Sequence, residues 1–366
     1  MRKKGLDVLR AIAVILVLFR HSDLDNIIQH FGWLGVDLFF VLSGFLISNI
    51  LFVEYTTFGL INIKRFFIRR VFKIFPPFYF FLLSTLLFNY LFNITTLNWE
   101  RLTSELLYLQ SYLPRIWMHT WSLSVEEHFY ILFSISILII SKKNFLKKKE
   151  IIITSLLLLI LLSFLMRLYI SYPHKNDDSF GFTQSHLRSD GIIMGILLSY
   201  LHNFTQWSNK LLKNKWLIFI ISGLLIAPGF YFKGGGFFMN TIGLTTVNLG
   251  FSLLVLLSID FEKYLVSASL QYLRIPLNAF CFVGVNSYSI YLWHLNSKDI
   301  IYSFFSYNPL FMTIMYISLS IGIGALMSYL IEKSFLRLRD YIFSKITLHK
   351  KNISTFNKNT ERFDRL

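Results

Sequence analysis

Apolar residues in this chain do not alternate with polar ones. They come in long runs, at approximately 8–22, 33–53, 74–95, 120–140, 151–172, 188–202, 216–232, 238–259, 276–295 and 310–331. A membrane-spanning helix needs about 20 mostly apolar residues, because the hydrocarbon core is about 30 Å thick and a helix rises about 1.5 Å per residue. All ten runs meet or nearly meet that length. The pattern predicts an all-α integral membrane protein: a polytopic bundle of about ten transmembrane helices over residues 1–336. Polar or aromatic connectors separate the runs, the longest at 96–118 and 173–187. Residues 337–366, basic and rich in Asn, Ser and Thr, read as a cytoplasmic tail.

Composition agrees with the membrane class. Of 366 residues, 54% are apolar and 15% charged, whereas soluble domains carry roughly 25% charge. The single cysteine, Cys281, excludes an intramolecular disulfide or a thiolate metal cluster. Arg2, Lys3 and Lys4 ahead of an apolar run resemble a signal peptide, but no small-residue cleavage site follows and Arg10 interrupts the run. We read a retained first helix. A net charge of +16 suggests nucleic acid only at first sight, because the basic residues cluster in short runs between apolar stretches. There they set orientation. With the N-terminus in the cytoplasm, 27 of the 36 Lys and Arg residues fall inside and eight outside, with Arg10 in the membrane. That bias predicts an N-in, C-in chain with an even number of spans.

Charged groups within spans cost a few kcal/mol each, about 2.5–3.5 on insertion scales, and normally face a bundle interior. Arg10 and His21 lie eleven residues apart on the first helix, which puts them on one face about 16 Å apart along the axis. If Arg10 lies in the inner half, His21 lies toward the outer half, with Asp37, Glu126, Glu127, Arg188, Asp190 and His294 at that same level. The inner mouth carries Arg65, Arg69, Arg70 and Lys73 beside Arg10. The expectation is a pore with an anion-binding inner end and an acid/base outer end.

Six runs carry a resemblance: LDVLRAIAVILVLFRH (6–21), GVDLFFVLSGFLIS (35–48), RRVFKIFPPFY (69–79), TWSLSVEEHFYIL (120–132), LRSDGIIMGILLS (187–199) and SYSIYLWH (287–294). Together they resemble the membrane-bound acyltransferases of family three, which includes O-antigen, exopolysaccharide and peptidoglycan O-acetyltransferases. The resemblance implies that Arg10 and His21 are essential, that Glu126 belongs to the active site, and that Arg70 and Lys73 help hold an acyl-coenzyme A donor. Lys73 stands where the family's pattern has a second arginine, which keeps charge but not a bidentate fork. The family's Glu-x-Pro near the end reads Glu332-Lys333-Ser334. The expectation is a chain without the extracellular hydrolase-like domain of some larger relatives.

On this reading the chain is an O-acetyltransferase of the bacterial cytoplasmic (inner) membrane. It takes acetyl-CoA from the cytoplasmic side and acetylates a hydroxyl of an extracytoplasmic glycan, lipopolysaccharide O-antigen or another surface polysaccharide. His21 is the base or first accepts the acetyl group itself. Arg10 binds the donor or stabilises charge; it also has Asp7 one turn below as a plain ion-pair partner. Glu126 and Glu127 are about 100° apart on a helix, so only one can point squarely at a cavity, and Glu126 is preferred. Arg69, Arg70 and Lys73 form the donor end. Asp37, Arg188, Asp190 and His294 are candidate substrate-binding residues. Arg188 and Asp190, two residues apart, do not face each other on a helix. No His or carboxylate spacing implies a metal. Two rivals remain: a polysaccharide transporter or flippase, which predicts an inverted repeat that the sequence does not show, and an acyltransferase acting on a small molecule.

Overall fold

The computed structural model describes residues 3–24, 27–91, 98–142, 145–177, 181–232, 234–265, 274–305 and 307–343. Among them the regular elements are helices, with no strands. The main ones are α1 (Lys4–Arg20), α2 (Leu34–Phe58), α3 (Ile63–Leu91), the short α4 (Trp99–Leu106), α5 (Trp121–Lys142), α6 (Lys149–Ser171) and α7 (Asp190–Phe204). They continue with α8 (Lys215–Ile226), α9 (Leu244–Leu265), α10 (Arg274–Val285), α11 (Ser287–Phe304) and α12 (Pro309–Met327). Seven helical stretches are long and apolar enough to cross a membrane, or eight if the bent pair α10–α11 is one span. The helices α1 and α7, of 17 and 15 residues, are shorter. Each of the ten apolar runs is therefore helical over most of its described residues, and the protein is a polytopic helical membrane bundle.

The centre of the bundle is α2, which buries residues on all its faces, from Leu34 to Tyr55. Its closest partner is α7. A Cβ added to Gly44 would lie 2.0 Å from the backbone oxygen of Ile192, and one on Gly195 would lie 2.2 Å from that of Val41. Two glycines thus let the two backbones touch. Apolar lipid gives helices no hydrophobic reason to associate, so close packing through small residues supplies it.

Three boundaries differ from the sequence reading, and the first two move candidate site residues. Helix α3 begins at Ile63, so Arg65, Arg69, Arg70 and Lys73 lie on its first turns and not on a connector. Pro76 and Pro77 sit inside α3 and remove the N–H donors that would have bonded back to Phe72 and Lys73. The run 276–295 is not one straight span: α10 and α11 meet at a 77° bend. Asn286 sits at the break and its side-chain amide donates to Phe282 O at 2.8 Å, a local bond that competes with the helix. Consequently α11 continues to Phe304, and His294 lies mid-helix instead of closing it. The last helix runs unbroken from Pro309 to Phe343, with a π turn at Ser328–Glu332. Residues 337–343 of the expected tail are helical, and 344–366 lie outside the described residues.

The glycine contact yields a direct test. Gly44→Leu should destabilise the folded protein by at least the roughly 1–3 kcal/mol of an overpacked core, since the clashing atom is backbone. Gly223→Leu, where an added Cβ meets nothing within 4 Å, is the control. Thermal unfolding of the purified variants measures both, and a Gly44→Leu protein as stable as the control would disprove the α2–α7 contact.

Candidate active site

A cavity of about 100 Å³ opens where α1, α2, α3, α5, α11 and the last helix converge. Its polar wall is made by Arg10, Ser43, Arg70, Lys73, Ser122, Glu126, Ser287, Tyr288, Tyr291 and Glu332. Arg70 and Lys73 are three residues apart on α3 and so share a face. Arg69, one residue earlier, turns away and is exposed. Of the basic residues expected at the donor end, Arg10, Arg70 and Lys73 come together and Arg69 does not.

The two glutamates correct the expected levels. They were placed near His21, but both engage Arg70: Arg70 Nη2 lies 3.2 Å from Glu127 Oε1 and 3.7 Å from Glu126 Oε2. The reason is the early start of α3, which carries Arg70 into the bundle at the height of Glu126. Only Glu126 lines the cavity, its Oε1 accepting from Ser43 Oγ at 3.0 Å and its Oε2 from Tyr130 O–H at 2.7 Å. The Arg70 guanidinium also sits 3.3 Å over the Tyr130 ring, a cation–π contact that holds the fork flat. On the far wall Glu332 Oε2 accepts from Ser289 and Ser328, both at 3.2 Å.

His21, at the C-terminal end of α1, is in different company. Its ring centroid lies 5.1 Å from that of His294, which in turn lies 4.9 Å from that of His119. Tyr291 stands between this histidine cluster and the cavity: it lines the cavity, its hydroxyl donates to His119 O at 2.8 Å, and it is 2.6 Å from Ser122 Oγ. His119 is held by the connector before α5. There Glu105 Oε1 accepts from the N–H groups of Ile116 and Trp117, at 3.1 and 3.4 Å, and from the Thr120 hydroxyl at 2.8 Å. Burial pushes the Glu105 carboxyl up to about 7, against those donors, which pull it down. Among the described residues no group of three His, Cys, Asp or Glu side chains could hold a metal ion.

The remaining candidates sit apart from the cavity. Arg188 pairs with Asp37 at 2.9 Å, and Asp190 with Arg167 at 2.8 Å. Two residues apart, Arg188 and Asp190 thus take different partners. Arg167, read from sequence only as an outer basic residue, is fully buried and also donates to Leu187 O and Thr245 Oγ1. The Arg188–Asp37 pair ties the helical turn Ser185–Arg188, just before α7, to α2, and the Arg167–Asp190 pair ties α7 to α6. His119 and Tyr291 were missed altogether. His119 directly precedes TWSLSVEEHFYIL, and Tyr291 is three residues before His294 on the same helix face, so both signals were present.

A membrane-embedded cavity lined by Arg10, Arg70, Lys73, Glu126 and Glu332, with an imidazole cluster beyond it, is the candidate active site of a membrane enzyme. The chain belongs to acyltransferase family three: the model described as "Acyltransferase domain" matches residues 3–333. It is 29% identical over 361 residues to a Staphylococcus aureus (strain COL) protein named "Putative O-acetyltransferase", covering 90% of this chain and 57% of the relative. It is 26% identical over 321 residues to the peptidoglycan O-acetyltransferase OatA of Listeria monocytogenes (79% of this chain, 48% of the relative). To the O-acetyltransferase OatA of S. aureus (strain NCTC 8325 / PS 47) the identity is 25% over 322 residues (79% and 49%). The chain spans about half the length of these curated relatives. No solved structure matches it.

The buried pairs separate a binding role from a packing role. Arg188→Met leaves the Asp37 carboxylate buried and alone, which should cost about 3–5 kcal/mol, whereas Asp37→Leu with Arg188→Met should recover most of that loss. Unfolding midpoints and acyl transfer measured on the same preparations decide between them. A double variant that is stable yet inactive would mean that the pair binds substrate.

Proposed function

We propose that this chain is a multi-pass O-acetyltransferase of the bacterial cytoplasmic membrane. It moves an acetyl group from cytoplasmic acetyl-coenzyme A to a hydroxyl of an extracytoplasmic glycan, O-antigen or another surface polysaccharide. The observation that carries this reading is that Arg10, Arg70 and Lys73 line one cavity, and that Tyr291 in its wall packs on the His119 and His294 rings of the cluster that holds His21. Arginine and lysine suit the phosphates of coenzyme A. Relatives named as O-acetyltransferases support the acetyl group and the hydroxyl acceptor.

In this scheme the donor's phosphates meet Arg70 and Lys73 at the inner mouth. The carboxylates of Glu126 and Glu127 hold Arg70 until the donor's negative charge competes for it. A volume of about 100 Å³ is far below the roughly 300–1,000 Å³ of ligand pockets, so the donor arm enters only as these side chains part. Arg10 contacts the arm, about 16 Å along α1 from His21. The thioester then reaches past Tyr291. His21 takes the proton of the acceptor hydroxyl as that oxygen attacks the thioester carbonyl. The C–S bond breaks, and coenzyme A leaves as the thiol with the proton returned from His21.

Donor binding and turnover should therefore respond to different residues. His21→Ala should lower transfer by about 10²-fold or more while acetyl-coenzyme A still binds. Arg70→Ala should weaken donor binding, whereas Glu127→Gln, which frees Arg70 from a competing carboxylate, should preserve or tighten it. Calorimetric binding of acetyl-coenzyme A beside transfer to a surface glycan measures both. Normal transfer by a well-expressed His21→Ala protein would remove the base, and unchanged donor binding in Arg70→Ala would remove the inner donor site.

A further inference from the structure

Two of the three clustered histidines are buried, His294 completely and His119 to within 3%. Each is fixed by a backbone carbonyl: His294 Nδ1 lies 2.6 Å from Tyr291 O, and His119 Nε2 lies 3.1 Å from Leu292 O. A carbonyl oxygen can only accept, so both of these ring nitrogens carry the proton. In a neutral imidazole the opposite nitrogen then has a free lone pair. A doubly protonated ring would leave a buried cation without a counter-charge, which burial strongly disfavours. The opposite nitrogens, His294 Nε2 and His119 Nδ1, are buried and have no hydrogen-bond partner. Buried acceptors left open are rare and point to a donor.

The neighbouring donor is His21. A ring nitrogen stands roughly 1.1 Å from its ring centroid. A centroid separation of 5.1 Å therefore lets facing nitrogens approach to about 2.9 Å, the length of an N–H hydrogen bond. The two planes are now tilted by 49°, so a modest side-chain rotation completes it. His119 packs edge-on against His294, at 74°, and keeps that ring from turning.

We propose that His294 and His119 are positioning residues for His21. His294 Nε2 accepts the His21 N–H, His119 holds the His294 ring in place, and the opposite nitrogen of His21 is left to take the acceptor's proton. This role rests on His21 being the base proposed above. It does for His21 what a carboxylate does for the histidine of a hydrolase triad, fixing the tautomer and orientation, but without a negative charge. It also assigns His294 to His21 and not to substrate.

The test uses the full chain in lipid nanodiscs and isosteres that keep or remove the acceptor. In Gln, the side-chain oxygen can stand where His Nε2 stood. His294→Leu should lower kcat about tenfold or more with donor and acceptor KM unchanged, and His294→Gln should recover most of it. His119→Leu should give a smaller fall, because it leaves the His294 Nε2 acceptor in place. Equal kcat for His294→Leu and His294→Gln overturns the proposal. The rate of His21 carbethoxylation by diethyl pyrocarbonate, read by mass spectrometry, needs no turnover. It should slow about twofold or more in His294→Leu, where the tautomer is no longer fixed, and an unchanged rate also overturns the proposal. If His21→Ala is itself active, the base reading fails first. If His21→Ala is inactive and the His294 variants behave alike, only the positioning role falls.

Discussion

A charge inside hydrocarbon must be answered by another side chain, and this requirement organises the whole bundle. Arg167 with Asp190, Arg188 with Asp37, and Arg70 with Glu126 and Glu127 each bridge two helices. The first two pairs are tight and buried, and they fasten α7 and the turn before it to their neighbours. The third lies at the cavity, where one cation is shared between two carboxylates and an aromatic face. A shared partner is easier to give up than a private one. That difference makes the same kind of interaction a brace in one place and, in the proposed scheme, a contact that a donor's negative charge can displace in the other.

The sequence made the helices legible because each is a long apolar run, and the membrane leaves few other ways to satisfy such a backbone. Depth was harder to read. Residue spacing gives height within one helix, as for Arg10 and His21 on α1, but not the offset between helices. Glu126 was accordingly set beside His21, whereas α3 enters the bundle early and brings Arg70 to it instead. The bend at Asn286 was hidden for a similar reason, since one polar residue in an apolar run does not reveal whether its amide turns back on the chain.

The pairing of Arg10, Arg70 and Lys73 around one cavity was legible in residue type and spacing. The histidine cluster was only half legible. A search for charges within spans finds His21 and His294 but passes over His119, which lies on a connector. What brings His119 inward is the Glu105 carboxylate gathering Ile116, Trp117 and Thr120, a long-range arrangement with no periodic signature. Tyr291, joined to that same connector, lines the cavity and touches the cluster, so one side chain belongs to both halves of the site.

The 35 residues from Pro309 to Phe343 make a rod about 52 Å long at 1.5 Å per residue, well beyond the roughly 30 Å of hydrocarbon. One end of it must stand in water. Glu332, in the cavity wall, is five residues from Arg337 on this rod, so about 8 Å of helix links a sheltered carboxylate to an exposed guanidinium. Added salt screens exposed charges within a Debye length of about 8–10 Å and buried ones much less. Raising ionic strength therefore screens Arg337 at the exposed end of the rod while leaving the bonds from Ser289 and Ser328 to Glu332 nearly untouched, so the two parts of one rigid element respond to different solvents.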